Sequence, residues 1–261
     1  MARIAGMVGG EPAGNASIVR RMLGHVVGED AGIVVLASGP AALGAAHRSA
    51  PPIAADGDLL IAMDGRPLDR ARGSPETVQG FTERYRRGGF ADATARLDGT
   101  FAVALFDRAT ETLWVARDRF GEAPLYYARQ GGAIAFASRP RSLWDAPGAS
   151  RRPRREYLAL VAAGHYRYFD QRPDLSPYDG IAQLPAGHIL EWRAGRVNVR
   201  PYWSFEAWPE MSDDETVLAE RYRSLLLDSV RVRLAGAERP AFTLSGGMDS
   251  SSVVCLADRL L

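Results

Sequence analysis

Short runs of apolar residues, separated by turn residues, dominate the first two hundred positions of the chain. Most runs are four to six residues long, which is typical of strands. Gly131-Gly132 and the segment from Asp107 to Thr112 each join two runs, as hairpin connections do. The pattern predicts mostly antiparallel strands, at Ile33–Leu36, Leu59–Ala62, Phe101–Phe106, Leu113–Ala116, Leu125–Ala128, Ala133–Phe136 and His188–Trp192.

Few segments of this region show a helical period. The clearest helix is predicted to begin with Ser74 as its N-cap and Pro75 at its first position. Its apolar side consists of Val78, Phe81 and Tyr85. A shorter helix is predicted over Glu156–Ala163, after a solvated arginine-rich loop at Arg151–Arg155. Helices packed on antiparallel sheets predict an α+β layered fold.

The pattern changes near Ser212, where Ser212 and Glu215 form a capping box. It predicts a long helix to about Leu234, with a buried side at Leu218, Tyr222, Leu225, Leu226 and Val230. Ala241–Leu244 then reads as a short buried strand, and Ser251–Leu261 as a helix. Strand, glycine loop and helix make half of a βαβ unit. We therefore expect a first domain at residues 1–207 and only the opening piece of a second at 208–261.

Composition and charge narrow the function classes. Of the 261 residues, 46% are hydrophobic and 24% charged, which is typical of a globular protein and excludes disorder. The formal net charge of +1 gives no field to attract nucleic acid or an anionic membrane. All 32 basic residues are arginine, so lysine chemistry within this chain is excluded. No apolar run approaches the roughly 20 residues that span a bilayer, and a single cysteine, Cys255, fits a reducing cytoplasm.

The candidate chemistry lies in the loop Ser245-Gly246-Gly247-Met248-Asp249-Ser250. A glycine loop between a strand and a helix aims backbone N–H groups and hydroxyls at an anion, and phosphate is the natural ligand. Asp249 would repel phosphate unless Mg²⁺ lay between them, so the loop indicates a metal-bound pyrophosphate. The lysine of P-loop NTPases is missing. The alternative is a tight turn without a ligand.

LSGGMDSS resembles the pyrophosphatase loop of the N-type ATP pyrophosphatases, which adenylate a carboxylate and release pyrophosphate. The resemblance implies binding of ATP and Mg²⁺, with the metal at Asp249. The nucleotide-binding residues that it implies are Leu244, Ser245, Gly246, Gly247, Asp249, Ser250 and Ser251.

Four upstream segments resemble asparagine synthetase B-type enzymes, in that family's order and spacing. They are LDGTFAVALFD at 97–107, ARDRFGEAPLYY at 116–127, FASRPRSL at 136–143, and LPAGH at 184–188 with Tyr202-Trp203. The resemblance implies a class II glutamine amidotransferase domain, a four-layer αββα sandwich, ahead of an ATP pyrophosphatase domain.

The glutamine-handling positions depart from that family. Its N-terminal cysteine nucleophile has no counterpart after Met1, where Ala2 follows, so no catalytic residue is predicted. The oxyanion-hole asparagine aligns with Asp64 of Asp64-Gly65-Arg66, and a carboxylate would repel an oxyanion. The aspartate that holds the glutamine ammonium aligns with Pro75. The arginine that pairs with the glutamine carboxylate has no counterpart near His47-Arg48-Ser49, and Cys255 is interpreted as a packing residue.

A lost glutaminase resembles two offshoots of the family, the lasso peptide macrolactam cyclases and the β-lactam synthetases. Both join a carboxylate to an amine of the substrate itself. The resemblance implies an ATP-dependent ligase whose substrate is a small-molecule or peptide carboxylate, with a precursor peptide and its maturation proteins as partners. Two alternatives stay open: a glutamine-hydrolysing asparagine synthetase with another start codon, and a truncated scaffold without catalysis.

Overall fold

The computed structural model describes residues 3–25, 31–47, 52–164, 172–205, 214–235, 237 and 239–261. The chain divides into two compact units. The first comprises residues 1–71 and 75–204, and the second comprises 72–74 and 205–261. Each unit is described by itself.

Two antiparallel sheets form the first unit. The six strands of the first sheet are β1 (Arg3–Val8), β2 (Gly32–Ser38), β3 (Ala41–His47), β9 (Tyr126–Gln130), β10 (Ala133–Ala137) and β11 (Ile181–Gln183). The seven of the second are β4 (Ile53–Asp56), β5 (Leu59–Asp69), β6 (Ser74–Pro75), β7 (Leu97–Asp107), β8 (Thr112–Arg117), β12 (His188–Arg193) and β13 (Arg196–Pro201).

Strand order places β1 inside the first sheet, which runs β11-β9-β10-β1-β3-β2. The second sheet runs β13-β12-β8-β7-β5-β4, and β6 pairs with β5 beside this path. The longest pairing joins β5 to β7 from Leu59 opposite Asp107 to Asp69 opposite Leu97. The hairpins at Gly131-Gly132 and at Asp107–Thr112 are confirmed, because β9 pairs with β10 and β7 with β8.

Each sheet is covered by a helix on its outer face. Helix α1 (Pro12–Gly24) packs Val19, Met22 and Leu23 on the first sheet, and α2 (Val78–Ala95) packs Phe81 and Phe90 on the second. A third apolar cluster fills the space between the sheets. The layers are therefore αββα, as predicted. At Gly44 a Cβ atom would lie 2.7 Å from Leu23 and 2.8 Å from Val19, so only glycine lets α1 approach this closely.

The predicted start of α2 is wrong. Ser74 and Pro75 form the short strand β6, and the helix begins at Val78 with Thr77 as N-cap. The backbone N–H of Glu76 donates to the carbonyl of Pro67 at 2.9 Å, which keeps this segment extended alongside β5. Two further helical segments complete the unit, a 3-10 helix at Pro140–Asp145 and α3 at Arg155–Ala162. The helix predicted over Glu156–Ala163 is thereby confirmed to within one residue.

The described residues of the second unit form the helices α4 (Glu215–Leu234) and α5 (Met248–Asp258). The N-cap of α4 is Asp214, whose carboxylate accepts from the N–H of Thr216 at 2.8 Å, whereas Ser212 lies outside the described residues. The predicted buried side of α4 is wrong at Tyr222 and Leu225, which are 69% and 63% exposed, whereas Leu218 and Leu226 are partly buried. Val230 is the buried residue of this helix. An amphipathic face becomes buried only where another element covers it.

Candidate functional site

Ser245 and Ser250 close the loop that leads into α5. The two Oγ atoms lie 3.0 Å apart, and the backbone N–H of Ser245 donates to Ser250 Oγ at 3.2 Å. Ser250 Oγ also donates to the carbonyl of Gly247 at 3.2 Å. The two hydroxyl groups therefore hold the loop in a turn across the first residues of α5.

Gly246 gives this turn its shape and leaves its surface open. Its φ is +83°, a left-handed conformation that favours glycine. A Cβ atom built on Gly246 would meet nothing within 4 Å. A ligand oxygen can therefore approach the backbone of Gly246 without a steric obstacle.

The start of α5 supplies donors for an anion. Gly247 is the N-cap and no side chain caps this end of the helix. The first N–H groups of a helix lack intrahelical acceptors, and the positive end of the helix dipole favours negative charge. Helix bonding begins with the N–H of Ser251, which donates to the carbonyl of Gly247 at 3.2 Å. The donor set suits phosphate oxygens.

Asp249 lies in the first turn of α5 and is exposed. The helix was expected to begin at Ser251, but it begins three residues earlier and includes Asp249 and Ser250. Among the described residues, no three His, Cys, Asp or Glu side chains gather as a metal cluster. A single exposed carboxylate beside helix N–H groups has the chemistry to share a hard cation such as Mg²⁺ with phosphate oxygens.

Two expectations next to this loop are wrong. Residues 241–244 form no strand, and Phe242 and Leu244 are 39% and 63% exposed. A single extended segment has no ladder partner to satisfy its backbone groups, so an isolated strand does not form. Cys255, which was expected to pack, is also exposed.

A buried polar cluster surrounds Asp64, which the resemblance aligns with an oxyanion-hole asparagine. Ser138 Oγ donates to Oδ2 of Asp64 at 2.7 Å, and Nη1 of Arg3 lies 3.3 Å from the same oxygen. The N–H of Ile4 donates to Ser138 Oγ at 2.9 Å. Because Asp64 belongs to β5 and Arg3 to β1, the cluster joins the two sheets.

A negative charge on Asp64 is energetically unfavourable at this buried position. The carboxyl group is fully buried, whereas the Arg3 side chain is 21% exposed. Burial raises the pKa of Asp64 above its ordinary value, and this effect exceeds the opposing effects of Ser138 and Arg3. The sequence singled out Asp64 alone. Its partners Arg3 and Ser138 were missed, because they lie 61 and 74 positions away.

The other positions that the resemblance assigns to glutamine handling lie in β5, β6 and β3. Gly65 has a φ of +88°, and a Cβ atom there would lie 2.3 Å from the carbonyl oxygen of Thr100, so glycine is required. Pro75 is exposed in β6, and His47 ends β3. Arg48 and Ser49 lie outside the described residues.

The segment ARDRFGEAPLYY has a structural explanation in this fold. Asp118 is buried and accepts from the backbone N–H groups of Phe120, Glu122 and Ala123, at 3.1, 3.0 and 2.8 Å. Arg117 donates to the carbonyl groups of Ala123 and Leu184, each at 2.8 Å. These bonds shape the turn that follows β8, so both charges are used within the fold.

Comparison with known proteins identifies families that match two parts of the chain. Residues 76–203 match the glutamine amidotransferase domain family, and residues 221–261 match the asparagine synthase family. Asparagine synthetase [glutamine-hydrolyzing] 3 of Bacillus subtilis is 30% identical over 210 residues, covering 77% of this chain and 33% of the relative. A probable asparagine synthetase of Acanthamoeba polyphaga mimivirus is 31% identical over 181 residues, which cover 66% of this chain and 30% of the relative. The chain spans about a third of these relatives.

Another relative carries a different name. Amidase chyE of Penicillium rubens is 30% identical over 171 residues, covering 64% of this chain and 24% of the relative. Among solved structures, glutamine phosphoribosylpyrophosphate amidotransferase from B. subtilis superposes with a TM-score of 0.51 at 14% identity. The superposition covers 77% of this chain and 49% of that one.

The likeness to the solved structure identifies the fold of the first unit as that of class II glutamine amidotransferases. None of the helices that the structure describes has the length and apolar character needed to cross a membrane. The matches along the sequence place the chain in the asparagine synthetase family, with a glutamine amidotransferase domain followed by a segment of an asparagine synthase domain.

Proposed function

We propose that the protein carrying this chain is an ATP-dependent amide ligase that adenylates a carboxylate and does not hydrolyse glutamine. The adenylation half of the proposal depends on the loop from Ser245 to Ser251. Its open glycine surface, paired hydroxyls and helix N-terminus suit the pyrophosphate part of ATP. Mg²⁺, when bound at Asp249, would neutralise charge on the pyrophosphate.

The second part of the proposal, that the protein does not hydrolyse glutamine, depends on the buried cluster of Asp64, Arg3 and Ser138. An oxyanion hole needs donors aimed at the developing negative charge. Asp64 instead offers an acceptor, already bonded to Ser138 and paired with Arg3. Pro75 offers neither a charge nor a side-chain hydrogen bond for an amino acid substrate. Both changes remove glutamine chemistry and leave the adenylating loop intact.

Without ammonia from glutamine, the acyl-adenylate must be attacked by another amine. The proposal places that amine on the substrate, as in the lasso peptide cyclases and β-lactam synthetases that the sequence resembles. The substrate class is a carboxylate that carries its own amine, either a small molecule or a precursor peptide brought by maturation proteins. A net charge of +1 favours neither nucleic acid nor a membrane as a partner. The proposal places the reaction in the cytoplasm, which the single cysteine fits.

A second candidate is a glutamine-hydrolysing asparagine synthetase. The names of the relatives in B. subtilis and the mimivirus favour it. Under this candidate the cysteine nucleophile would come from a different start codon, and the activated carboxylate would be that of aspartate.

ATP–pyrophosphate exchange in the protein that carries this chain distinguishes the two candidates. We expect no exchange with aspartate, and exchange with peptides that contain a side-chain carboxylate and a free N-terminal amine. Exchange driven by aspartate, together with asparagine formation from glutamine, would establish the second candidate and contradict our proposal.

A further inference from the structure

A cavity of about 620 Å³ opens on the outer side of the second sheet, beside helix α2. Small-molecule sites usually have volumes of about 300–1,000 Å³, so this cavity is large enough to be one. Its lining residues belong to α2, to strand β8 and to the turns that join β4 to β5 and β7 to β8. All of them lie within the uninterrupted described stretch 52–164. The walls of the cavity therefore come from the first unit alone.

The floor of the cavity is apolar and aromatic. Leu59 and Phe90 are buried, and the ring of Phe90 stacks on that of Trp114, with centroids 5.7 Å apart and 15° between the planes. Trp114 itself is only partly buried. Helix α2 is interrupted at Gly89, whose φ is +78°, and a Cβ atom built there would meet nothing within 4 Å. The interruption therefore leaves open space next to the aromatic floor.

The polar lining of the cavity has an excess of negative charge. Among the described lining residues, Arg86 is the one cation, and it is paired with Asp56 at 2.8 Å. Asp107 accepts from the hydroxyl group of Tyr85 at 2.6 Å, and burial together with this carboxylate raises the pKa of Tyr85, so the phenol stays a neutral donor. The side chain of Asp58 is exposed and pairs with none of the described residues. Within the described part of the chain, Asp58 and Asp107 are therefore left without a countercharge.

We propose that this cavity binds an organic cation, an ammonium or guanidinium group carried on an aromatic or apolar body. The body lies against Trp114 and Leu59, where binding removes its apolar surface from water. The positive group lies near Asp58 and Asp107 and is also attracted by the face of the indole ring. An anion of the same shape is repelled by the same two carboxylates. This site is separate from the loop proposed to bind ATP and does not depend on the proposed ligase reaction.

Three small probes of one shape and different charge test the preference for a cation. Phenethylamine is a cation at neutral pH, phenethyl alcohol is neutral and phenylacetate is an anion, and each carries one phenyl ring. The protein that carries this chain is titrated with each probe and followed by ligand-observed NMR in the absence of ATP. We expect the amine to bind at least about tenfold more tightly than the alcohol, and phenylacetate not to bind. Because no ATP is present, loss of ligase activity would not affect the result.

Two variants place the binding in this cavity. Asp58→Asn removes the exposed charge and keeps the size of the side chain, so we expect it to weaken binding of phenethylamine about tenfold. The matched control is Glu111→Gln, which removes an exposed charge from the β7–β8 turn outside the cavity and should leave binding unchanged. Ala109→Leu changes no charge but places a larger side chain at an exposed position of the lining, and it should also weaken binding.

Each of three results would overturn the proposal. They are the absence of phenethylamine binding, equal binding of phenethylamine and phenylacetate, and binding of the amine that Asp58→Asn leaves unchanged. Binding that Ala109→Leu leaves unchanged would place the amine elsewhere on the protein and would overturn the proposal as well. Both substituted residues are exposed in turns, so the variants should keep the fold, and circular dichroism checks this.

Discussion

Asp249 is the residue on which the proposed ATP chemistry depends most directly. Its carboxylate lies among donors suited to phosphate, where a negative charge serves a purpose only if a cation joins them. The neighbouring Met248 is 84% exposed and has no polar group for this chemistry. The two residues therefore form a matched pair for a test.

We predict that Asp249→Asn lowers adenylate formation by roughly 100-fold or more, because it removes the charge that would hold Mg²⁺. Met248→Leu, the control, should retain activity. ATP–pyrophosphate exchange with an active carboxylate substrate measures both variants. Equal loss in the two, or no loss in either, would show that this loop does not bind pyrophosphate.

Asp64 leads to a prediction on stability. Its folded pKa lies above the unfolded value, so its ionisation favours the unfolded chain as pH rises from about 3.8 through the folded pKa. Asp64→Asn removes that cost and can still accept from Ser138. We expect the variant to gain stability over the wild type as pH rises through this window, and little difference below it.

Asp56→Asn is the matched control of opposite sign. Arg86 lowers the pKa of Asp56 through a hydrogen bond at 2.8 Å, so this carboxylate stabilises the fold above the unfolded pKa. The variant should lose stability at neutral pH, and the loss should vanish in acid. Denaturant unfolding at several pH values measures both. A parallel response of the two variants would contradict the account of Asp64.

At the scale of elements, the start of α2 shows how a local signal is overruled. Ser74 and Pro75 match a helix start, but pairing with β5 keeps them extended. Thr77 then caps the helix, with its Oγ1 accepting from the N–H of Gly80 at 3.0 Å. Ser74 and Thr77 are both suitable N-cap residues. The backbone hydrogen bond to β5 prevents a helix start at Ser74, so the helix is capped by Thr77.

Thr77→Ala should therefore lower the free energy of unfolding by about 1 kcal/mol, the usual effect of losing an N-cap. In a unit of this size, that corresponds to a fall in Tm of about 2–4 °C. Ser74→Ala is the control and should change Tm by far less. A larger fall in Tm for Ser74→Ala than for Thr77→Ala would instead support the helix start at Ser74 that the sequence predicts.

At the scale of the whole molecule, the amidotransferase fold of the first unit is shown, and the loss of glutamine hydrolysis is our proposal. We predict that the protein carrying this chain releases no glutamate from glutamine above a blank without protein. The reason is the joint effect proposed for the buried Asp64 acceptor and for Pro75, which the resemblance aligns with an aspartate. A glutamine-hydrolysing asparagine synthetase, assayed in parallel, provides the positive control. Glutamate release that is abolished by blocking the N-terminus would contradict the prediction.

The sequence alone determined the features that depend on neighbouring residues. The hairpins follow from their turn residues, and the proposal of phosphate binding at residues 245–251 is argued from glycines and hydroxyls within one loop. The layered α+β class follows from short strands with few helices, and the segments from 97 to 188 resemble one enzyme family. Each of these depends on interactions that span a few positions, so the local pattern is sufficient.

Only the tertiary structure decided the features that depend on distant residues. Strands β1 and β3 lie inside the first sheet, although their alanine and glycine residues give little strand signal; close packing against α1 selects small side chains there. The raised pKa of Asp64 arises from burial among β1, β5 and Ser138, which meet only in the folded chain. Leu244 is exposed because no described strand pairs with residues 241–244. The side chains of a strand are buried only by the elements that pack around it, whatever the strand propensity of its own residues.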